Sequence, residues 1–222
     1  MVLQHGFHDR REGGRALAAK LAARYAGRGD VVVLGLPRGG LPVAAEVASA
    51  LRAPLDVLIV RKLGMPGQEE LAMGALASGD VIVRNEDVLG LLHDPEEALN
   101  AALSRERREL QRREREYLGD RRPVDVTNKT AIVVDDGIAT GATMRAAVSA
   151  LRHRGAGRIV VAVPHAPAEA CAEFSQHADE CVCCQTPSPY MAVGAWYDVF
   201  PQTSDAEVKE ILQRAAQLAA EP

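Results

Sequence analysis

Continuous apolar runs constrain the fold of this 222-residue chain more than any other feature. Three of them, Val31–Leu36, Ala131–Val134 and Ile159–Val163, contain no polar side chain. A strand without a polar face must be covered on both sides, which is typical of a parallel sheet flanked by helices. Segments with helical periodicity lie between these runs. We therefore predict an α/β fold, with a mainly parallel central sheet in a three-layer α/β/α arrangement.

Turn and capping signals give the limits of the other elements. Further strands are predicted at Leu55–Val60 and Glu180–Cys184, with a loop at Gly64–Gly67 and one or two short strands within Leu71–Val83. The predicted helices are Asp9–Arg28, Leu41–Arg52, Ala142–Arg154, Glu169–His177 and Asp205–Ala219. We expect one domain over residues 1–222, whose last part, from about residue 186, forms a hood and a helix.

A highly charged segment, Pro95–Arg122, interrupts the alternation of strands and helices. It carries eight arginines against six glutamates and Asp120, with Leu103, Leu110 and Tyr117 as its apolar seam. So narrow a seam predicts a solvated helix that packs by one edge. We interpret the segment as a helical insertion, and the alternative is a contact between the two copies of a homodimer.

Charge and hydropathy argue against several classes of protein. With 47% hydrophobic and 25% charged residues, the chain has an ordinary globular composition. Its formal net charge of −4 predicts no broad basic surface for nucleic acid or anionic membranes. No apolar run approaches the ~18 residues of a membrane span, and Met1–Arg11 lacks the apolar stretch of a signal peptide. We expect a cytoplasmic protein with no nucleic-acid or membrane partner.

The four cysteines cluster late in the sequence, at Cys171, Cys181, Cys183 and Cys184. In the cytosol we expect them to be reduced thiols. Cys181 and Cys184 have the spacing of half a zinc site, but no second pair follows, only the scattered His165 and His177. A buried strand is the preferred interpretation, because cysteine is among the most buried residue types.

The segment Ala131–Thr143 is the part of the sequence most indicative of chemistry. An apolar strand ends in Asp135 and Asp136, and a loop of small and hydroxyl residues then leads directly into a helix. In a parallel sheet, ligands bind beyond the carboxyl ends of strands. Gly137 and Gly141 allow backbone N–H groups to turn toward an anion at the helix N-terminus.

This loop predicts a phosphate site. It contains no lysine, so it differs from the phosphate loop of nucleoside triphosphatases, and its glycine spacing is not that of dinucleotide binding. Thr140 and Thr143 could add hydroxyl donors. Asp135 and Asp136 would repel a phosphate, and two vicinal hydroxyls or the waters around Mg²⁺ would suit them better. The alternative is an acidic turn that only leads into a helix.

Val133–Thr143 resembles the ribose-5-phosphate binding signature of the type I phosphoribosyltransferases, which use 5-phosphoribosyl 1-pyrophosphate (PRPP). Counted from Ala131, the shared features are four aliphatic residues, two acids and then Gly-x-x-Thr-Gly-x-Thr. The resemblance implies that Asp135 and Asp136 bind the ribose hydroxyls, directly or through metal-bound water, and that Mg²⁺ is held mainly by substrate and water. The residues implied to hold the 5-phosphate are Ala139, Thr140, Gly141, Ala142 and Thr143.

Two further segments agree with this resemblance. Pro37, Arg38, Gly39 and Gly40, directly after the first strand, resemble the family's pyrophosphate loop, which often holds a cis non-proline peptide bond. Small residues let N–H groups approach an anion, and a guanidinium group can bind phosphate through two hydrogen bonds. Without the resemblance, this loop could equally be a plain turn between a strand and a helix.

A basic pair, Arg61 and Lys62, precedes a glycine-rich segment that resembles the family's mobile lid over the pyrophosphate. The resemblance implies that these cations and Arg38 neutralise the leaving group, while a solvated basic pair is the alternative. Gly64–Ala75 and Val193–Tyr197 also resemble a bacterial subgroup of the family that brings no known acceptor.

The acceptor is less well defined by the sequence. Ala139 stands where the family's 6-oxopurine enzymes have an aspartate, which disfavours hypoxanthine and guanine. A general base would have to come from elsewhere, and Glu69 and Glu70 are candidates.

Half of the eight aromatic residues fall near the C-terminus, at Tyr190, Trp196, Tyr197 and Phe200. The family's variable hood over the acceptor often lies there, and a flat ring could stack on a planar base. The alternative is that these rings fasten the last helix to the sheet. His165 could lie on the same rim, although a surface loop is the expected place for it.

Together these features predict a PRPP-dependent transferase that acts on a nitrogen acceptor such as a nucleobase. A PRPP-sensing regulator without turnover is the first alternative, and a hydrolase of ribosyl phosphates is the second. The expected partners are PRPP and a small-molecule acceptor, and a homodimer is compatible with the sequence.

Overall fold

The computed structural model of the protein describes residues 6–119 and 121–220, without the side chains of residues 70, 219 and 220. The strands are β1 (Val31–Gly35), β2 (Leu55–Val57), β3 (Val60–Met65), β4 (Gln68–Ala77), β5 (Val81–Arg84), β6 (Thr130–Val134), β7 (Arg158–His165) and β8 (Glu180–Gln185). The helices are α1 (Arg10–Tyr25), α2 (Gly40–Leu51), α3 (Glu86–Leu89), α4 (Pro95–Tyr117), α5 (Ala142–His153), α6 (Ala168–His177) and α7 (Asp205–Ala220), with a 3₁₀ turn at Val193–Trp196.

A five-stranded parallel sheet forms the centre of the fold, in the order β2-β1-β6-β7-β8. The predicted α/β fold and parallel sheet are confirmed. In the pairing of β1 with β6, Gly35 lies opposite Val134. The two strands therefore end side by side, and the loops that follow them start at the same edge of the sheet.

Helices cover both faces of this sheet. Val31 and Val33 of β1 pack in one apolar cluster with α1 and α2, while Val32 and Leu34 pack in another with α5 and α6. Adjacent residues of a strand point to opposite faces, so a run without polar side chains fills both clusters. The three layers predicted from the apolar runs follow from this packing.

A second, antiparallel sheet has the order β3-β4-β5. The predicted loop at Gly64–Gly67 is wrong, because β3 continues to Met65, which pairs with Gln68. Only Pro66 and Gly67 form the turn, where Gly67 has a positive φ of 76° and proline presets the preceding φ. The predicted strand Leu55–Val60 is likewise divided between the two sheets.

The charged segment forms α4, with Asp94 as its N-cap accepting from the Glu97 N–H group. Its seam residues Leu103, Leu110 and Tyr117 are buried in the cluster that includes the second sheet and α7. Packing by one edge is confirmed. Within the described part of the chain, no helix is both long and apolar enough to cross a membrane.

The cysteine prediction is partly wrong. The strand is confirmed as β8, although its residues are half-buried rather than buried. Cys171 of α6 and Cys183 form a disulfide, with 6.8 Å between their Cα atoms. The prediction of reduced thiols rested on the rarity of disulfides in the cytosol. That argument does not take into account that α6 packs closely enough on β8 to bring two cysteines together. Cys181 and Cys184 remain free thiols on opposite faces of β8, so this pair cannot chelate one zinc ion.

Candidate functional site

The loops after β1 and β6 are in direct contact. An ideal Cβ atom on Gly39 would lie 2.1 Å from Oδ2 of Asp136, and one on Gly40 would lie 2.7 Å from the carbonyl oxygen of Val134. Leu36 also donates its N–H to that carbonyl oxygen at 2.9 Å. The predicted pyrophosphate loop and the acidic pair therefore lie against each other, at a distance that only glycine permits.

The loop after β1 leads straight into α2. Its Pro37–Arg38 peptide bond is cis, as the resemblance implied. Gly39 is the N-cap of α2 and offers no side-chain hydrogen bond to the first turn. A helix N-terminus carries unsatisfied N–H groups and a partial positive charge, so this end of α2 suits an anion.

The loop after β6 has the same character. Gly141, with a φ of 73°, is the N-cap of α5 and likewise provides no side-chain cap. Ala139 and Thr140 are exposed at its start. Arg145 donates through Nη2 to the Thr140 carbonyl oxygen at 2.9 Å and through Nη1 to Glu173 at 2.7 Å. This second uncapped helix end fits the predicted phosphate site, and Arg145 holds its loop in place.

The acidic pair is only partly accessible. Asp135 accepts the N–H of Asp136 through Oδ1 at 2.9 Å. Its burial, together with the neighbouring Asp136 charge, raises the pKa of the Asp135 carboxyl well above its usual range. Oδ2 of Asp136 accepts from Nε of Arg10 at 2.9 Å, and both side chains are nearly buried.

Arg10 also ties the acidic pair to the C-terminal part of the chain. Its guanidinium group lies 3.7 Å from the centre of the Phe200 ring and donates to the Pro201 carbonyl oxygen at 2.6 Å. Tyr197 stacks on Phe200 and donates its hydroxyl to the Asp136 carbonyl oxygen at 2.6 Å. Asp136 is thus held through both its side chain and its backbone.

The predicted cations lie in different surroundings. Arg38 stays in the loop after β1, with Nη1 3.8 Å from Oδ1 of Asp205. Arg61 lies on β3 and forms an ion pair with Glu106 of α4 at 2.6 Å. Lys62 follows it on the same strand. Arg61 uses Nε and Nη2 in this pair, so part of its guanidinium group is already engaged by a carboxylate.

The two candidate bases lie on β4. The side chain of Glu69 is exposed, and its Oε2 lies 3.9 Å from Nη2 of Arg105. The side chain of Glu70 falls outside the described residues. The assignment of Glu69 or Glu70 as the general base stays a prediction.

The C-terminal aromatic residues lie beside the acidic pair. Tyr190 stacks on Trp196, with ring centres 6.4 Å apart, and both are half-buried. Tyr197 is buried against Phe7 and His165. Tyr190 and Trp196 thus remain candidates for contact with a planar ligand, whereas the Tyr197 ring is enclosed by protein.

His165 is not on the surface, so the expected surface loop is wrong. It ends β7 and is completely buried, because Phe7, Tyr190 and Tyr197 surround its ring. Nδ1 lies 3.0 Å from the Tyr190 hydroxyl. An ideal Cβ on Gly137 would meet the ring at 2.7 Å, so His165 supports the turn just after Asp136.

The burial of His165 predicts acid sensitivity. Burial lowers its pKa from 6.5 to about 4, so the unfolded chain takes up this proton first as the pH falls. The free energy of unfolding then decreases between pH 6.5 and pH 4, by about 3 kcal/mol for such a shift. Urea unfolding across this range should show a shallower decline in His165→Gln. An equally steep decline in both proteins would contradict the assignment.

Comparison with known proteins identifies the family. The sequence profile described as "Phosphoribosyl transferase domain" matches residues 7–198, which is most of the chain. The chain belongs to the phosphoribosyl transferase family.

Related proteins agree with this assignment. Over 209 residues, or 94% of this chain, it is 50% identical to proteins named "Putative phosphoribosyl transferase" from Mycobacterium tuberculosis strains CDC 1551 and H37Rv. The chain spans about half of those proteins, 47% of their length. The crystal structure of TT1426 from Thermus thermophilus superimposes with a TM-score of 0.86 at 40% identity, covering 94% of this chain and 98% of that one.

Two residues of the candidate site were missed in the sequence. Arg10 is 126 residues from Asp136, and Arg145 reaches back to the loop from inside α5. The N-terminal helix was recognisable, but only the fold shows which of its arginines reaches the acidic pair. The position of Arg145, five residues after Thr140, was a weak local signal for its hydrogen bond to the Thr140 carbonyl oxygen.

The acidic pair also predicts a change in stability. The native state holds the Asp135 proton more tightly than the unfolded chain, so its carboxylate lowers stability increasingly as the pH rises. We expect Asp135→Asn to raise the free energy of unfolding at pH 7 more than at pH 4, since the amide oxygen can still accept the Asp136 N–H. Urea unfolding at both pH values measures this, and a loss of stability at pH 7 would contradict it.

Proposed function

We propose that this chain is a PRPP-dependent phosphoribosyltransferase, which moves ribose 5-phosphate to a nitrogen acceptor and releases pyrophosphate. The observation that carries the proposal is the contact between Gly39 and Asp136. A pyrophosphate beside Gly39 and a ribose beside Asp136 would be neighbours, as they are within PRPP. The loop at Gly141 supplies a separate anion site for the other end of that molecule.

Each of the two uncapped helix ends would bind one of the two phosphorylated ends of PRPP. Thr140 and Gly141 at the start of α5 would hold the 5-phosphate, and Gly39 and Gly40 at the start of α2 would hold the pyrophosphate. Both ends offer backbone N–H groups and a partial positive charge, which suits phosphate oxygens. Asp135 and Asp136, which lie against the start of α2 and precede the start of α5 in sequence, would accept hydrogen bonds from the ribose hydroxyls.

Transfer breaks the bond between ribose C1 and pyrophosphate, and negative charge develops on the leaving group. The start of α2 and the guanidinium group of Arg38 would stabilise that charge where it forms. Arg61 and Lys62 would add to this from β3 once Arg61 leaves Glu106. Arg10 would hold the Asp136 carboxylate in place during the reaction through the ion pair seen in the structure.

The acidic pair is compatible with Mg²⁺, because carboxylate oxygens are hard donors of the kind this ion prefers. One oxygen of each residue already accepts a hydrogen bond, from the Asp136 N–H and from Arg10. Asp135 and Asp136 would therefore contact the ion through their other oxygens or through water. When bound together with the substrate, Mg²⁺ would neutralise charge on the pyrophosphate.

The acceptor is proposed to be a planar nitrogen compound. Tyr190 and Trp196, half-buried and stacked near the acidic pair, could hold such a ring. Ala139 cannot handle a ring proton as an aspartate would, which disfavours 6-oxopurines. Glu69 remains a candidate base.

A PRPP-binding regulator is the second candidate, and the ion pair between Arg61 and Glu106 favours it. A guanidinium group whose charge is already balanced by a carboxylate stabilises a leaving group less. A sensor would keep the helix ends and the acidic pair, and would bind PRPP without cleaving it.

Calorimetry and a pyrophosphate assay together test the proposal. We expect PRPP with Mg²⁺ to bind, and pyrophosphate to be released only when one member of a panel of nucleobases is present. Release without a base would indicate a hydrolase, and binding without any release would indicate the regulator. No binding of PRPP would overturn the site itself.

A further inference from the structure

Three of the four cysteines face one another between α6 and β8. Cys181 and Cys183, two residues apart on the strand, point to the same face, toward Cys171 of the helix. Cys184 points to the opposite face, into the cluster beneath α1 and α2. The alternation of side chains along a strand produces this division.

Opening the Cys171–Cys183 disulfide would leave three thiols close enough to share one metal ion. In the disulfide form all three Sγ atoms lie within 4.8 Å of one another, and those of Cys181 and Cys183 are 3.8 Å apart. Tetrahedral zinc with bonds of about 2.3 Å to sulfur places its sulfur ligands about 3.8 Å apart. All three residues are half-buried, and β8 is an edge strand, so an ion could enter from solvent.

We propose that Cys171, Cys181 and Cys183 form, when reduced, a three-thiolate site for a thiophilic d¹⁰ cation such as Zn²⁺, with water as the fourth ligand. The Cys171–Cys183 disulfide in the structure is the oxidised form of this site. Reduction by a dithiol delivers two electrons and two protons to the S–S bond, and the dithiol becomes a disulfide. Three thiol protons pass to water as the sulfurs bind the metal.

Metal titrations of reduced protein test the proposal. The chain is treated with a phosphine reductant, freed of it without oxygen, and titrated with Zn²⁺ by calorimetry and with Co²⁺ by absorbance. We expect one ion per chain and a sulfur-to-cobalt charge-transfer band in the wild type and in Cys184→Ser. Cys181→Ser and Cys183→Ser should bind at least about tenfold more weakly, and the disulfide form should not bind at this site.

Alkylation of the wild type gives a readout that does not depend on the variants folding. Zn²⁺ should slow modification of Cys171, Cys181 and Cys183 by at least about tenfold and leave the rate at Cys184 unchanged. Equal protection of all four cysteines, no protection, or an equal loss of affinity in Cys184→Ser would overturn the proposal. These measurements need no PRPP, so they stand apart from the proposed transferase activity.

Discussion

An Asp136→Asn variant should transfer phosphoribosyl groups about 10²-fold or more slowly than the wild type, because it loses a preorganised charge at the reacting sugar. The Asp136 carboxylate lies against Gly39 and accepts from Arg10. A neutral amide at position 136 cannot balance the charge of the Arg10 guanidinium group. If the amide turns its oxygen toward Arg10 to accept the hydrogen bond, its NH₂ group takes the place of the other carboxylate oxygen, beside the proposed ribose. Pyrophosphate release with the accepted base measures turnover, and calorimetry measures the affinity for PRPP.

Asp198→Asn provides the matched control for this substitution. The Asp198 side chain is three-quarters exposed and its only described ion pair is with His8, at 3.6 Å. We expect wild-type turnover and PRPP affinity in this variant. Wild-type rates in Asp136→Asn would remove Asp136 from the site, and equal losses in both variants would mean that the assay does not report on the site.

The central sheet could be predicted because each of its apolar strands carries its own signal. Val31–Gly35 and Ala131–Val134 are buried on both faces, and their lack of polar side chains predicts this burial. The change of sheet near Val60 could not be predicted in this way. Leu58 and Ile59 are as apolar and as buried as the strand before them, so the sequence does not reveal that the chain leaves one sheet for another.

The candidate site shows a similar division between local and distant signals. The loops at Gly39 and Gly141 are local, since each combines a strand end, small residues and a helix start. The contacts that hold Asp136 are distant, because Arg10 and Tyr197 reach it from opposite ends of the chain. Residue types and spacing can locate a phosphate loop, but they do not show which side chains fold over it.

A Gly39→Ala variant should lose PRPP binding by at least about tenfold, since a methyl group there cannot coexist with the present position of Asp136. The added Cβ would lie 2.1 Å from Oδ2 of Asp136, well inside van der Waals contact. Arg10 donates to the same oxygen at 2.9 Å, so a displacement of the carboxylate would disturb this ion pair. We expect the substitution to displace either the α2 N-terminus or Asp136, and calorimetry with PRPP and Mg²⁺ to record the loss.

Gly29→Ala separates this effect from a general cost of replacing glycine. An added Cβ at Gly29 meets nothing within 4 Å, and its backbone has no positive φ, so PRPP binding should be unchanged.

A double variant, Gly39→Ala with Asp136→Asn, should bind PRPP little more weakly than either single variant. Both substitutions act on the same contact, so their losses of binding free energy are not additive. If the two losses added in full, Gly39 and Asp136 would be acting independently, and the single site inferred from their contact would be wrong.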